Sequence, residues 1–382
     1  MRIAILYYAV VPTVPIGRWH LHILKGLCHE HEFTVFSTRF ENPCPDRIRW
    51  VRIPSPTRPA ALVFVAFHIL APVCYWWHCI RRGVRFDLVQ FVGSDLSFGD
   101  VSSAHFCNRA YLKHHWRQSR PHGLRRFFYW LDYRLHAIAE PWVYRGVRRI
   151  AVHSRGLEEE ISTEYPFARS KIRFCPSVVD VCSMHRPTDF DWANFRARLG
   201  LVPGNVALAF VALGGFERKG LPLLLEGLAR INDQRLRVIV VGGPPDVVSH
   251  YRSRAASLGL DGRVAFVGKQ DDVRPYLWAS DAFVFPSQYE AFPAACLEAA
   301  AAGLALIVPP LNGVEEFLVD GQNGFLVERS PEGLCRGFTR FLEMSPEDRQ
   351  AMGRYAQECA SQYSVEGFTD AWRLFYREFA EG

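Results

Sequence analysis

Residues 289–303 read YEAFPAACLEAAAAG and set two carboxylates, Glu290 and Glu298, eight residues apart among alanines, a proline and bulky apolar side chains. A carboxylate in so apolar a segment is costly without a partner, so each is expected to have one. Gly303 suits a helix end and Pro293 a first helical position, which predicts a helix over 293–302. None of Glu290, Ala291 and Phe292 is a good cap at the right place, and Ala294 and Ala295 leave bare backbone N–H groups. A bound phosphate would complete such a start; a buried helix with water at its end is the plainer alternative. Eight residues of helical rise is about 12 Å, the scale of a nucleoside diphosphate sugar from ribose to hexose. One carboxylate would accept from ribose hydroxyls and the other from sugar hydroxyls, unless Glu298 pairs with a core arginine.

A second stretch with chemistry in it is FVALGGFERKG, residues 210–220. A buried strand runs into two glycines, which let the backbone approach a ligand. Arg218 and Lys219 follow where a sheet ends, a place that suits a diphosphate; a solvated basic turn is the alternative. The chain has only five lysines, at 25, 113, 171, 219 and 269, so one at a strand end stands out.

These residues need elements to hold them. Continuous apolar runs at 206–213, 236–243, 262–268, 281–287 and 304–310 read as strands with helical segments between, such as LPLLLEGLARI at 221–231. In the first half 2–8, 32–38, 86–92 and 148–154 read as strands in the same rhythm. Continuous apolar strands alternating with helices mean an α/β protein with parallel sheets covered on both faces. At 382 residues two domains are expected, with turn residues at 179–195 as the join. The resulting picture is two doubly wound domains facing a cleft, 1–185 and 186–363, with ligands at the carboxyl ends of the strands. The final stretch, about 364–382, reads as an amphipathic helix.

The bulk numbers agree with a globular chain: 22% charged, 49% apolar. Residues 1–190 carry 26 Lys and Arg against 15 Asp and Glu, a surplus of +11; the remainder carries 19 against 24. A basic first half suggests an anionic partner or surface there. Ten cysteines form no C-x-x-C pair and read as reduced thiols of a cytosolic protein. The opening MRIAILYYAVV reads as a buried first strand rather than an export signal, since no small-residue cleavage site follows. The longest apolar run, 60–80, is flanked by Arg58, Arg81 and Arg82 and broken by His68, Pro72 and His78. It reads as a buried or interface-lying helix more readily than a membrane span.

The spaced glutamates, the GGFERKG turn, VAFVGKQDDVRPYLWASDAFVFPS and EEFLVDGQNGFLVE at 315–328 together resemble a retaining glycosyltransferase of the GT-B fold, family 4. The likeness covers almost the whole second domain, and the RKG after its first strand is closest to bacterial lipopolysaccharide-core glucosyltransferases. It implies roles residue by residue. Glu290 would touch the donor sugar and Glu298 hold the ribose hydroxyls. Arg218 and Lys219 would neutralise the departing diphosphate, and the backbone of Ala291, Phe292 and Pro293 would line the sugar and phosphate site. Lys269 would lie at the turn facing the nucleobase. In the first domain, DVSSAHFCNRAYL at 100–112 resembles the segment with the family's active-site histidine, which would be His105. The family's glycine pair after the first strand is reduced to Gly17, followed by Arg18, so the phosphate or acceptor contacts implied for that loop, with Gly17 on the donor side, are weakened. The family's PNG is PSV at 176–178. In this fold the C-terminal helix crosses back to the first domain.

The same resemblance implies no cofactor and no metal, only a nucleotide diphosphate sugar as co-substrate; DFD at 189–191 falls in the join and reads as chance. Front-side attack is implied, with the leaving phosphate taking the acceptor proton. The acceptor would be a glycan or a lipid-linked chain of a cell-surface polysaccharide. Residues 109–149 hold ten Lys and Arg, two acids and many aromatics, which suits an anionic membrane surface or an ordinary basic one, with nothing that resembles a nucleic-acid module. The expected location is cytoplasmic, at the inner face of the plasma membrane. A nucleotide-sugar-binding subunit without catalysis and a nucleotide-sugar epimerase of the same fold remain as alternatives.

Overall fold

The computed structural model describes residues 1–56, 60–118 and 123–380. Arg58 beside the apolar run, 119–122 of the basic segment and the last two residues of the C-terminal stretch lie outside the described residues. The chain divides into two compact units, one of Met1–Val178 with the C-terminal helix Val365–Ala380, the other Val179–Ser364.

The first unit carries a seven-stranded parallel sheet: β1 Arg2–Leu6, β2 Glu32–Ser37, β3 Arg49–Arg52, β4 Leu88–Val92, β5 Val101–Ala104, β6 Arg149–Val152 and β7 Ile172–Phe174, in the order 3-2-1-4-5-6-7. The central β1 is buried from Ile3 to Leu6 and pairs with β2 (Ile3 beside Phe33) and β4 (Ile3 beside Leu88). The second unit carries β8 Val206–Val211, β9 Leu236–Val241, β10 Val264–Gly268, β11 Ala282–Val284, β12 Ala305–Val308 and β13 Gly324–Leu326. Their order, 10-9-8-11-12-13, reverses between β8 and β11. Each unit is thus doubly wound, and each has a switch point where the loops after two neighbouring strands part. The strands are shorter than their apolar runs, because one to three residues at one end of a run or both turn out of the sheet into the flanking loop.

The join lies earlier than 185. Val179 and Met184 sit in the second unit's core, and Asp180 caps the short helix Val181–Met184 through the Ser183 N–H at 3.1 Å. Asp191 of DFD caps the next helix, Trp192–Arg198, by accepting from the Asn194 N–H at 3.0 Å. That explains one of its two carboxylates as local structure.

The C-terminal helix is held in the first unit by Trp372, fully buried and edge-on to Trp19 with ring centres 5.0 Å apart. From its next turn the Tyr376 hydroxyl donates to Gln90 Oε1 at 2.6 Å, and Gln90 Nε2 donates to Ser103 Oγ at 3.1 Å. A buried polar chain therefore runs from this helix through β4 to β5.

Glu140, one of the two acids in 109–149, is buried and acts as the cap of the helix Asn108–His114. It accepts from the Asn108 N–H at 2.7 Å, Asn108 Nδ2 at 2.8 Å, the Arg109 N–H at 3.2 Å and the Tyr165 hydroxyl at 2.7 Å. Glu140→Ala strands these donors in the interior, and a loss of about 3 kcal/mol in urea unfolding is expected. A loss under about 1 kcal/mol would show that water replaces the carboxylate.

Candidate functional site

The loops after β8 and β11, either side of the second unit's switch point, bring three of the sequence-selected residues together. Gly215 and Gly220, at φ +66° and +85°, bracket the helical turn Phe216–Lys219. A side chain at Gly220 would place its Cβ 2.0 Å from the Pro286 carbonyl oxygen, so only glycine lets the β8 loop lie on the β11 loop. That approach delivers Arg218 and Lys219 to Glu290. Arg218 donates to Glu290 at 3.3 Å and to the Tyr289 carbonyl at 2.5 Å, and Lys219 also donates to Glu290. Ser287 donates its hydroxyl to the same carboxylate at 2.7 Å. Burial pushes the Glu290 carboxyl up, but Lys219 and Arg218 outweigh it and hold it below the usual range. Burial lowers the Lys219 ammonium, with Glu290 opposing. The three side chains form a compact cluster with one positive charge in excess.

Beside them the helix Ala294–Ala301 begins with no side-chain cap. Pro293 stands at the cap position rather than first in the helix, and its carbonyl accepts from the Cys296 N–H at 2.9 Å. Glu290 therefore lies outside the helix, and helical rise separates Glu298 only from residues after Pro293, so the 12 Å expectation does not hold. Glu298 sits half-buried on the helix. The two glutamates still share a neighbourhood: burial raises the Cys296 thiol, and both carboxylates push it further. Ala291 is buried; the half-buried Phe292 packs its ring on Phe317 and Tyr363, centres 6.1 and 5.7 Å away, leaving only its backbone for a ligand. Lys269 is exposed just past β10, whose end is tied to β9 by the Gly242 N–H on the Gly268 carbonyl at 2.7 Å. Ser287 was passed over in the sequence; its position three residues before Glu290, in a loop leaving an apolar strand, was the available signal.

Two of the selected residues belong to the first unit. Gly17 is buried in the helix Pro15–Leu27, where a Cβ would stand 2.4 Å from the Ala9 carbonyl oxygen. Its small size serves that contact with the backbone. His105 follows β5 at the carboxyl end of the sheet. Its Nε2 lies 3.1 Å from Nε2 of His153, and the two rings overlap with centres 3.9 Å apart. Burial, with His153 and His20 adding, holds the His105 ring well below the ordinary histidine range, so it is neutral at pH 7 rather than a charge-bearing imidazolium. Among the described residues, no group of three or more His, Cys, Asp and Glu is placed to hold a metal ion.

Comparison with known proteins decides what this cluster belongs to. Residues 196–359 match the model of the glycosyl transferases group 1 family. This region is a group 1 glycosyltransferase domain. The lipopolysaccharide core biosynthesis glycosyltransferase LpsE of Rhizobium meliloti is 35% identical over 167 residues, 42% of this chain and 47% of that protein. The match to LpsE thus spans about half of LpsE's length. Among solved structures, sucrose-phosphate synthase from Thermosynechococcus elongatus superposes with a TM-score of 0.80 at 17% identity, covering 100% of both chains. Anabaena Alr3699/HepE in complex with UDP and glucose gives 0.73 at 17% identity, over 99% of this chain and 100% of that one. Likenesses this remote in sequence show the fold, which is GT-B: two Rossmann-like units in one chain.

Proposed function

We propose that the chain is a retaining, metal-independent hexosyltransferase that moves a sugar from a nucleoside diphosphate sugar to a glycan or lipid-linked acceptor of a cell-surface polysaccharide. The observation that carries this reading is the Arg218–Lys219–Glu290 cluster at the switch point, beside an uncapped helix start. With a bound diphosphate the cluster's surplus positive charge and the helix N–H groups meet two phosphate groups without a cation between them. Glu298 then serves the ribose, and Lys269 lies towards the base. In transfer, the bond from the anomeric carbon to the phosphate oxygen breaks. The bond to the acceptor oxygen forms on the same face, and the acceptor's proton passes to the leaving phosphate. HepE was solved with UDP and glucose and with UDP-glucose, which favours a UDP-sugar here; LpsE favours a lipopolysaccharide-type acceptor. Thermal shift against UDP-, GDP- and ADP-sugars, followed by product analysis with a lipid-linked acceptor, tests this reading. One nucleotide class should stabilise the protein, and Arg218→Ala and Glu298→Ala should abolish the shift. Indifference to all three classes would remove the donor site from the reading.

A peripheral cytoplasmic location at an anionic membrane belongs to the same proposal, with a change in the surface that supports it. The helix Ala60–Arg82 is not buried, as one of the two sequence readings had it: only 17% of the most apolar window of Leu62–Arg82 is covered, and Trp77 and Ile80 are 63% and 76% exposed. By length and composition it is apolar enough to cross a membrane. The neighbouring helix Gly123–Gly146 adds exposed Phe127, Phe128, Trp130 and Trp142, with Arg126, Arg134 and Arg145 exposed along it. Exposed aromatic and arginine side chains together suit lipid headgroups better than water. Vesicles rich in phosphatidylglycerol should sediment with the protein and phosphatidylcholine vesicles should not. The triple variant Trp77→Ser, Ile80→Ser, Trp142→Ser should weaken binding about tenfold or more, each buried side chain adding its share. Equal binding to both vesicle types would exclude an anionic-lipid surface.

A further inference from the structure

His105 does not stand alone at the end of β5; it begins a chain of hydrogen bonds built on three adjacent strand ends. His153 follows β6 and Cys175 follows β7. The Cys175 N–H donates to the Val152 carbonyl at 2.8 Å, which fixes the Cys175 peptide to β6. The Cys175 carbonyl in turn lies 3.3 Å from His153 Nδ1, and His153 Nε2 lies 3.1 Å from His105 Nε2. A carbonyl oxygen only accepts, so His153 carries its proton on Nδ1. The Nε2 of a neutral His153 is then a lone pair, and only a protonated Nε2 on His105 can meet it. Burial keeps His153 neutral, its pKa lowered to about 3 with the Cys175 hydrogen bond partly opposing. Trp19 holds both rings from the side, edge-on to His105 at 4.9 Å and to His153 at 4.6 Å between centres.

We infer that His153 is a positioning residue that locks His105 in the Nε2–H tautomer, so that His105 offers substrate a lone pair on Nδ1. This rests on the proposed role of His105 in sugar transfer. The consequence is a restriction on ligand chemistry: the group His105 meets must be a hydrogen donor, a hydroxyl or an N–H. A carbonyl, carboxylate or ether oxygen in that place would face lone pair against lone pair. The tautomer also excludes His105 as a proton donor to the leaving group, since its one proton points inward to His153.

Nitrogen-15 NMR of the histidine rings in the full chain tests this, with the His105 signals identified by their loss in His105→Gln. In the wild-type protein Nε2 should be the protonated nitrogen and Nδ1 the bare one. His153→Phe keeps an aromatic ring but removes the acceptor; His105 should then lose its single tautomer, and kcat should fall about tenfold with the donor KM unchanged. His153→Gln, whose amide oxygen can accept from His105, should recover most of the loss. A proton on Nδ1 of wild-type His105, or His153→Phe with wild-type kcat and an unshifted tautomer, would overturn the inference. The wild-type spectrum decides even where His153→Phe fails to fold. Full activity in His105→Gln would instead remove the role on which the inference rests, and would do so whatever the tautomer.

Discussion

Arg218→Ala is expected to lower kcat/KM for sugar transfer by about a thousandfold, the scale seen when one preorganised charge at a developing anion is removed. Two physical effects add. The guanidinium supplies charge where the diphosphate departs. It also ties the loop after β11 through the Tyr289 carbonyl at 2.5 Å and Glu290 at 3.3 Å. Arg218→Lys separates them: charge stays, but a single ammonium cannot serve both acceptors and a phosphate with the fork geometry of arginine. A loss of about ten- to a hundredfold is expected there. The fold should tolerate both changes, because Lys219 and Ser287 still hold Glu290. Steady-state kinetics beside thermal melts make the check. An Arg218→Ala enzyme within tenfold of wild type, with nucleotide-sugar stabilisation intact, would mean the leaving group is neutralised elsewhere.

Much of this was legible in the chain itself, and the reasons differ by element. The second unit's strands VALAFV, LRVIVV and ALIV are apolar on both faces, and nothing but a doubly covered parallel sheet accounts for such runs. Two of the strands that escaped notice break that pattern. β3 is RWVR, polar and at the sheet edge; β5 is VSSA, whose two serines are buried only because Gly93 and Gln90 take up their hydroxyls. A hydroxyl satisfied by a neighbouring strand leaves no trace in local hydropathy. Similarly, Glu140 looks like a surface charge in a basic run, and only the four donors gathered from two other segments of chain, 108–109 and 165, reveal it as interior.

For the site, composition located the residues but not their pairings. Arg218, Lys219 and Glu290 were all selected, yet separately, as ligand groups facing outward. Their mutual contact joins positions 71 and 72 residues apart, a separation that no spacing rule reaches. The same holds for His105: its segment was given a role, while His153, 48 residues away at the end of the strand read at 148–154, was given none. The misjudged helix start has a local cause. Pro293 at φ −81° and ψ 92° is compatible with the cap position as well as with the first turn, and sequence alone does not separate the two.

Between pH 6.5 and 4 the buried histidines of the first unit are expected to work against its stability. Burial lowers His20 to about 4 and His153 to about 3, against an unfolded value near 6.5; hydrogen bonds to the Ile16 and Cys175 carbonyls oppose only part of this. With folded values depressed, the unfolded chain takes up protons first. The contribution is therefore complete above pH 6.5 and is lost as pH falls toward the folded values. Fully developed it amounts to about 3 kcal/mol for His20 and about 5 kcal/mol for His153, together comparable to the whole stability of a domain. Two carboxyls work the other way: burial raises Asp95 to about 7 and Asp132 to about 6, so the folded chain binds their protons earlier and gains as pH falls. The histidine share is isolated by His20→Phe. The His20 Nε2 is buried without a partner, so a ring that cannot titrate fits the site and retains the stack on Tyr7, centres 5.5 Å apart. Eight of the ten tryptophans lie in the first unit, so tryptophan fluorescence during urea unfolding reports mainly on it. The slope of unfolding free energy against pH over 4.5–6.5 should be shallower in His20→Phe by about one proton, about 1.4 kcal/mol per pH unit. An unchanged slope would show that His20 picks up its proton in the folded state as readily as in the unfolded chain, and the buried neutral cluster would have to be redrawn.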